Sequence, residues 1–482
     1  MSVFRPIGPV RGATPHFRFH QPHWRSVLRA GLVICTLGAP PLSRAHGQAV
    51  RRASESVRDT VRITLAEARS RAARGNPELA AARLDIDIAR GLLRQAGLIR
   101  TNPSADVLTS GTSGTRPELG VSQEFEIGGQ RGRRVAVARA GVSRAQFSTA
   151  NAARVTLADV ERGFYRIVAA ARRATLADEV LSLVERLSQV AVRQLREGEI
   201  SKLDYNLTVI ELGRSRAQAL AAHREQDGVS LEFRRLVGLP LNVAVVPVYD
   251  SLHHHARIDS VRGSVELRLS ALTSGRGMGD APSPDTAVTL DGLLTRAMAL
   301  RPDLAERDAA VTEARASVTL SQRGAIPNLL ARVVVQQSDD GTRESIRPGI
   351  GLSIPVFNRQ QGEIDARRAA TTQAMLDRAA TATRVRTGVE RAYRAYESAA
   401  LAVEVLESTV LGPARDNRRL LEAAYREGKV GLPVLLLIRN QVIGAEQDYW
   451  DAWLAEREAL ADLAASAGFD GDIAGIPRGR DD

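Results

Sequence analysis

Residues 157–195 read LADVERGFYRIVAAARRATLADEVLSLVERLSQVAVRQL and form the centre of a proline-free stretch from Gln130 to Leu195. Its apolar residues recur at intervals of three or four, apart from two steps of five residues after Ala171 and after Val190. They are Leu157, Val160, Phe164, Ile167, Ala171, Leu176, Val180, Leu183, Leu187, Val190 and Leu195. This spacing predicts one helix with a coiled-coil-like seam. At 1.5 Å per residue, roughly 65 residues make a rod of about 100 Å, longer than an ordinary globular domain needs.

The composition also favours long helices. The chain has 482 residues, of which 44% are hydrophobic, 25% charged and only 4% aromatic, a balance that suits helices better than a sheet-rich core. The net charge of +11 includes six arginines and no acid in residues 1–47, so the remainder carries 11 − 6 = +5. This mild excess gives little support to a nucleic-acid partner.

The N-terminus predicts an export signal over residues 1–47. A basic region ends at Arg29, residues 30–39 are an apolar run, and residues 45–47 offer small residues to a signal peptidase. A disordered basic tail is the alternative.

Cys35 is the single cysteine of the chain. The bulky Ile34 before it argues against lipidation. If the signal is removed, the remaining chain has no thiol. The sequence has no run of 18 apolar residues, so it predicts no transmembrane helix. An exported chain can still enter a membrane as strands.

The rest of the chain reads as two copies of one unit. Short motifs recur in the same order at a nearly constant spacing, which grows slightly where loop insertions would be expected. The pairs are Ile63-Thr64-Leu65 with Val288-Thr289-Leu290, Asn76-Pro77-Glu78-Leu79 with Arg301-Pro302-Asp303-Leu304, Glu161-Arg162 with Glu390-Arg391, Arg196-Glu197-Gly198 with Arg426-Glu427-Gly428, and Val237-Gly238 with Ala467-Gly468. The ordered series predicts tandem repeats over 61–240 and 288–470. A tail (48–60), a linker (241–287) and a disordered end (471–482) complete the chain.

Each copy has the same predicted order of elements, so the fold class is mainly α with a small β part. A short helix and a second helix lead into a β-hairpin, then a long helix stops at a glycine and a last helix returns. The hairpins are expected at 104–125 and 329–354, and the long helices at 130–196 and 362–426. Four strands cannot close a membrane sheet alone. They would form a share of an oligomeric barrel or a small soluble sheet.

The segments that follow the hairpins carry a family resemblance. Residues 122–132 read SQEFEIGGQRG and residues 352–362 read LSIPVFNRQQG. Together with the motifs at 76–79 and 301–304 and the element order, they resemble the TolC-type outer-membrane efflux family, and these two segments resemble its heavy-metal, CzcC-like branch. The resemblance implies a homotrimer with a 12-stranded barrel in the outer membrane on a 12-helix periplasmic tunnel. It also implies a periplasmic adaptor (membrane fusion protein), an inner-membrane pump of the RND type and contact with outer-membrane lipid, without nucleic acid.

The glycine turns are the first candidate site. Glycine supplies the left-handed backbone that ends a helix, and Ser201 can cap the returning helix. In the family these turns form the tunnel tip and contact the adaptor. That role would fall on Glu197, Gly198, Glu199, Glu427, Gly428 and Lys429. A helix stop without any partner is the alternative.

A gate is the second candidate site. The family often has an acid just beyond the second turn, but residues 432–438 read LPVLLLI; the first copy keeps Asp204. Val434 and Leu437 could instead form a hydrophobic constriction that closes by dewetting, and simple packing between helices explains the leucines equally well. Tyr425 matches a family position that ties neighbouring helices together. Pro413 predicts a kink in the second long helix.

No catalytic set is visible, so we expect a non-enzyme without a cofactor. The acids lie mostly beside arginine on helix faces, as solvated pairs do. The triplet His253-His254-His255 falls in the linker and reads as solvated loop rather than a metal site. We expect a passive exit duct of a tripartite efflux system, for heavy-metal cations. An exit duct for multidrug efflux or type I protein secretion, a soluble periplasmic coiled-coil scaffold and a basic nucleic-acid binder are the alternatives.

Overall fold

The computed structural model describes residues 60–110, 116–249, 289–337, 344–427 and 429–468. All of them fall in one compact unit, Arg58–Asp482. The predicted export signal, including Cys35, lies outside the described residues, as do the histidine triplet, Gly428, most of the predicted linker and the predicted disordered end.

The described residues are mainly helical. The first repeat contains α1 (Leu65–Gly75), α2 (Pro77–Ala96), α3 (Gln130–Glu197) and α4 (Lys202–Val237). The second contains α5 (Leu290–Leu300), α6 (Pro302–Gly324), α7 (Gln361–Val405), a π-helical segment (Leu406–Leu411), α8 (Gly412–Arg426) and α9 (Leu432–Ser466).

The repeated proline motif fixes the start of α2 and of α6. The Asn76 side chain accepts a hydrogen bond from Leu79 N and donates one to Leu236 O, both at 2.9 Å. In the second copy Arg301 donates to Ser466 O at 3.0 Å, and Ser466 is the repeat equivalent of Leu236. Different side chains therefore tie the second helix of each repeat to the end of its last helix.

The seam of α3 is buried through its middle. Leu157, Val160, Phe164 and Ile167 are all buried, and Phe164 packs with Phe233 of α4. This first core cluster also includes Trp453 of α9. A second cluster, built around Tyr396, Leu460 and Leu463, serves the second repeat. The last helix, α9, therefore packs into the core cluster of each repeat.

A four-stranded antiparallel sheet joins the two hairpins. Its strands are β2 (Ser104–Ser110), β3 (Arg116–Phe125), β5 (Leu329–Gln337) and β6 (Glu344–Leu352), in the order β2-β3-β5-β6. The repeats meet where β3 pairs with β5, from Glu118 opposite Gln336 to Phe125 opposite Leu329. β2 and β6 are the edges of this sheet.

Two further strands were not expected from the sequence. β1 (Thr60–Ile63) and β4 (Ala244–Pro247) pair in parallel, with Thr60 opposite Ala244. Ile63 is fully buried in the first core cluster. Four residues are too few to show a period of two. The pairing also joins the two ends of the first repeat, which are far apart along the chain, so reading the sequence as tail and linker misses it.

The second long helix is interrupted just before Pro413. Proline has no N–H to donate to the carbonyl four residues earlier, here Thr409, and its ring crowds that carbonyl. Residues 406–411 adopt the wider π-helical turn instead. Leu183 takes this place in the first repeat, and α3 continues through it as α-helix.

Candidate functional site

The first helix turn is closed by Gly198. Its φ is +75°, in the left-handed region, and Glu199 N donates to Gln194 O at 2.8 Å, as in a Schellman C-cap. Glu197, Gly198 and Glu199 are exposed. The turn therefore presents its backbone and two carboxylates outward.

Ser201 and Asp204 form a capping box at the start of α4. Asp204 N donates to Ser201 Oγ at 3.1 Å, and Ser201 Oγ donates to Asp204 Oδ2 at 2.8 Å. The predicted cap at Ser201 is present. Its partner is the same carboxylate that we considered for the gate, so Asp204 at least stabilises the turn.

The described residues of the second turn share one backbone hydrogen bond with the first. Lys429 N donates to Ala424 O at 2.9 Å, which is the repeat equivalent of the bond from Glu199 to Gln194. Lys429 Nζ lies 2.6 Å from Glu427 Oε2 in an exposed ion pair. Gly431 takes the place of Ser201, and α9 starts without a side-chain cap. The side chain of Tyr425 lies outside the described residues.

The leucine-rich segment after this turn has two faces. Leu435 and Leu436 are buried and pack with Leu187 of α3 and Leu421 of α8. On the other face Val434 is 47% exposed and Leu437 61% exposed. Packing therefore accounts for Leu435 and Leu436, while Val434 and Leu437 are free to face a lumen or a partner.

A buried ion pair lies one helical turn further along α9. The guanidinium of Arg439 is buried, and its Nη1 lies 3.5 Å from Glu211 Oε1 of α4. Burial lowers the pKa of Arg439, and the charge of Glu211 only partly opposes this. Sequence reasoning missed the pair. The available signal was position: Arg439 follows the buried Leu435 by four residues and Leu436 by three.

Glu161 is an exception to the expectation that the acids lie mostly in solvated pairs. It is buried on the seam of α3, and Arg69 Nη1 lies 3.4 Å from its Oε2. Burial raises the pKa of Glu161, while Arg69, Arg457 and Arg162 lower it to a smaller extent. Its place, four residues after Leu157 and three before Phe164, marks a buried position.

One face of the four-stranded sheet is apolar. The strand register places a set of mostly aliphatic side chains together, with Gln123 as the polar exception among those described. They are Ala105, Val107, Leu119, Val121, Phe125, Leu329, Ala331, Val333, Val335, Ile346, Pro348, Ile350 and Leu352. Within the described chain nothing covers much of this face, and Ile350 is 79% exposed.

The opposite face is more polar and carries ion pairs. Arg332 Nη2 lies 2.7 Å from Asp106 Oδ2, and Arg347 Nη2 lies 3.9 Å from Glu118 Oε1. Gly120 leaves room for the first pair, because a Cβ there would come within 2.7 Å of Asp106 Oδ2. The sheet therefore separates an apolar surface from a charged one.

The helices described here include none that is long and apolar enough to cross a membrane. In the same part of the chain no group of three His, Cys, Asp or Glu side chains is placed to hold a metal ion.

Comparison with known proteins identifies the fold. Residues 293–469, from α5 to the end of α9, match the model of the family described as outer membrane efflux protein. The match spans a little over a third of the chain, and this part is similar to the outer membrane efflux protein family.

Individual relatives are distant in sequence. The cobalt-zinc-cadmium resistance protein CzcC of Cupriavidus metallidurans is 24% identical over 304 residues, which cover 63% of this chain and 65% of CzcC. The chain therefore spans slightly less than two thirds of the length of CzcC.

Solved structures share the fold more completely. The channel-forming CusC has a TM-score of 0.63 at 16% identity, covering 84% of this chain and 92% of CusC. The outer membrane channel CmeC of Campylobacter jejuni has a TM-score of 0.66 at 12% identity, covering 84% of this chain and 85% of CmeC. The architecture of helical rods with a strand-rich end is therefore common to all three.

Proposed function

We propose that this chain is the outer-membrane exit duct of a tripartite efflux system and that its cargo is a heavy-metal cation. In this proposal three copies form a ring. Their sheets join into a twelve-stranded wall in the outer membrane, and their long helices form a periplasmic tunnel. An adaptor and an inner-membrane pump bind at the far end, and the pump supplies the energy.

The observation that carries the proposal is the two-faced sheet. Its apolar face, which includes Val333 and Ile350, suits contact with lipid, and its ion-paired face suits a water-filled interior. In the described chain each edge strand, β2 and β6, is paired on one side only. A sheet in a bilayer must close, so further copies are needed to pair β2 and β6.

The helices and turns support the rest of the path. The 68 residues of α3 correspond to about 100 Å at 1.5 Å per residue, which suits a reach through the periplasm. The exposed charges of both turns, with Glu199 and Lys429 among them, suit the polar contact expected of an adaptor. Val434 and Leu437 would line the constriction.

The heavy-metal cargo rests on the CzcC likeness. CzcC is named for resistance to cobalt, zinc and cadmium. The charges of the polar face give no preference, because the strand register places three acids (Asp106, Glu118, Glu124) and three arginines (Arg116, Arg332, Arg347) on it.

Growth of a strain that lacks the gene tests the proposal. We expect reduced tolerance to cobalt, zinc, cadmium or copper, restored when the wild-type gene is returned. Unchanged tolerance to all four metals would reject the cargo. If tolerance to organic drugs were lost instead, the same duct would serve multidrug efflux, and loss of a secreted protein would indicate type I secretion.

A further inference from the structure

The two repeats meet inside the chain in one defined junction. The long helix of the first repeat, α3, packs against both α6 and α9 of the second repeat, and β3 pairs with β5. Polar contacts fix this junction. Arg144 Nη1 lies 3.1 Å from Glu313 Oε2 of α6, and Arg154 Nη1 donates to Ala465 O of α9 at 3.0 Å.

Arg162 provides the ion pair at the middle of the junction. It contacts Asp462 of α9 and also Asp159, one turn earlier on its own helix. Burial lowers the pKa of Arg162, and the two carboxylates together raise it. One arginine of the first repeat thus links to the last helix of the second repeat.

The repeat itself predicts a second junction of the same kind. In this second junction α7 would pack against α2 and α4, as α3 packs against α6 and α9 in the first. β6 would pair with β2, as β3 pairs with β5. The described chain does not complete this junction within itself, because β2 and β6 are both sheet edges. The face of α2 that would be used is apolar and open: Leu84, Ile88 and Leu92, four residues apart, are 60–63% exposed. Ile88 is the repeat equivalent of Glu313, so an apolar side chain replaces the charged one.

Arg391 takes the place of Arg162 in the second junction. It is exposed, and among the described residues it has no hydrogen bond or ion pair. Gly388 stands where Asp159 stands in the first repeat, so its own helix offers no equivalent acid. Glu232 of α4, the repeat equivalent of Asp462, takes the place of the acid across the junction.

We propose that two copies of this chain meet head to tail through this second junction, with Arg391 of one copy paired to Glu232 of the next. The apolar stripe of α2 then packs on α7 of the neighbour, where Met375 and Leu376 are exposed. A heterologous contact of this kind forms a ring when the rotation between copies closes, as the proposed homotrimer requires. This inference rests on the proposed homotrimer and names the contact that builds it.

Glu232 is available for this role. It accepts hydrogen bonds from Arg235, with Arg235 Nη2 2.7 Å from Oε1, and this contact holds the pKa of Glu232 below its ordinary value. The carboxylate is exposed. A carboxylate offers about four acceptor positions, so a second guanidinium can bind beside the first.

Cysteine cross-linking of the full chain, purified from membranes in detergent, tests the contact. The single native cysteine lies in the predicted export signal, so an added pair gives a clear signal. Glu232→Cys with Arg391→Cys, treated with a short bismaleimide, should yield covalent dimers and trimers on a denaturing gel. Arg162→Cys with Asp462→Cys, the equivalent pair within one chain, should yield no covalent oligomer. Glu232→Cys with Arg386→Cys, which moves the second thiol to a different exposed face of α7, should cross-link far less.

The native mass, measured on the same samples, separates the possible failures. A trimer whose Glu232–Arg391 pair gives no covalent oligomer would overturn this contact and leave the proposed duct intact. A monomer would overturn the contact and the proposed ring together. Covalent oligomers equal to those from the Arg386 control would also overturn the contact, because they would report only collision.

Discussion

At the residue scale, the glycines test how far backbone geometry decides stability. Gly238 has a φ of +73°, and a Cβ there would come 2.4 Å from Gly75 O. Gly238→Ala should therefore lower the unfolding temperature of the assembled protein, with a cost above about 1 kcal/mol from the backbone alone. Gly91→Ala lies in the middle of α2 with no atom within 4 Å of the new Cβ. It should raise the free energy of unfolding by about 0.5–1 kcal/mol, and with it the unfolding temperature. Circular dichroism on heating measures both, and equal shifts would contradict this account.

Glu161 should make stability depend on pH. Its folded pKa is raised above the ordinary 4.5, so the native state binds the proton more tightly than the unfolded chain does. The contribution of Glu161 to the free energy of unfolding is therefore most favourable below pH 4.5. It declines as the pH rises from there through the folded pKa.

Glu161→Gln removes the titrating carboxyl group and so isolates its contribution to the pH dependence of stability. The difference in unfolding temperature, wild type minus variant, should fall as pH rises above 4.5 and then level off. Glu225→Gln, which changes an exposed acid on α4 paired with Arg173, provides the control for an acid that is not buried. A difference that stayed flat from acid to neutral pH for Glu161→Gln would show that burial does not control this carboxyl.

At the element scale, the start of α9 separates packing from gating. Leu435 is 5% exposed and Leu437 61% exposed. Leu435→Ala should lower stability by about 2–5 kcal/mol, because it leaves a cavity beside Leu187 and Leu421. Leu437→Ala should cost about 0.5 kcal/mol or less, as usual for a surface change. Thermal unfolding of the two variants measures the difference.

Conductance in planar bilayers gives the second readout for the same pair. If Val434 and Leu437 form a constriction that closes by dewetting, Leu437→Ala should raise the conductance of the resting channel. The double variant with Val434→Ala should raise it further. Unchanged conductance in the double variant would remove these residues from the gate and leave packing as the role of the segment.

The sequence predicts elements well where a pattern runs long. The period of three to four over α3 predicted its course because dozens of residues repeat one signal, and its observed end at Glu197 follows from Gly198. The paired β1 and β4 offered four residues each, too few for any period. Pro413 predicted a disturbance of the second long helix. Its form, a π-helical segment over 406–411, depends on which N–H groups the local carbonyl groups accept from, and the residue types do not indicate this.

The candidate site was predictable to a similar degree. Glycine and serine at the first turn pointed to a helix stop and a cap, and both are present at Gly198 and Ser201. The division of the leucine segment into a buried and an exposed face needed the position of α3, on the other repeat. The buried pair of Arg439 and Glu211 joins side chains that are distant along the chain, so sequence alone offered a buried position but no partner.

At the scale of the whole molecule, the two faces of the sheet predict which substitutions block membrane insertion. Val333 lies in the middle of β5 on the apolar face. Val333→Lys should cost about 2–4 kcal/mol against lipid and sharply reduce the amount of protein in the outer-membrane fraction. Gln336→Lys lies on the polar face opposite Glu118 and should insert normally. Equal amounts of both variants in the membrane would contradict lipid contact at Val333.

The open edges of β2 and β6 have a consequence for how the protein reaches its working form. In the proposed duct, each chain would reach the membrane with two rows of unpaired backbone groups, at β2 and β6, that hydrocarbon cannot satisfy. A lone chain would then stay outside the bilayer until it pairs with other copies. The yield of inserted protein should then rise more steeply than in proportion to its synthesis rate. At a low synthesis rate, unassembled chains would persist in the periplasm, where their exposed strand edges favour aggregation and proteolysis.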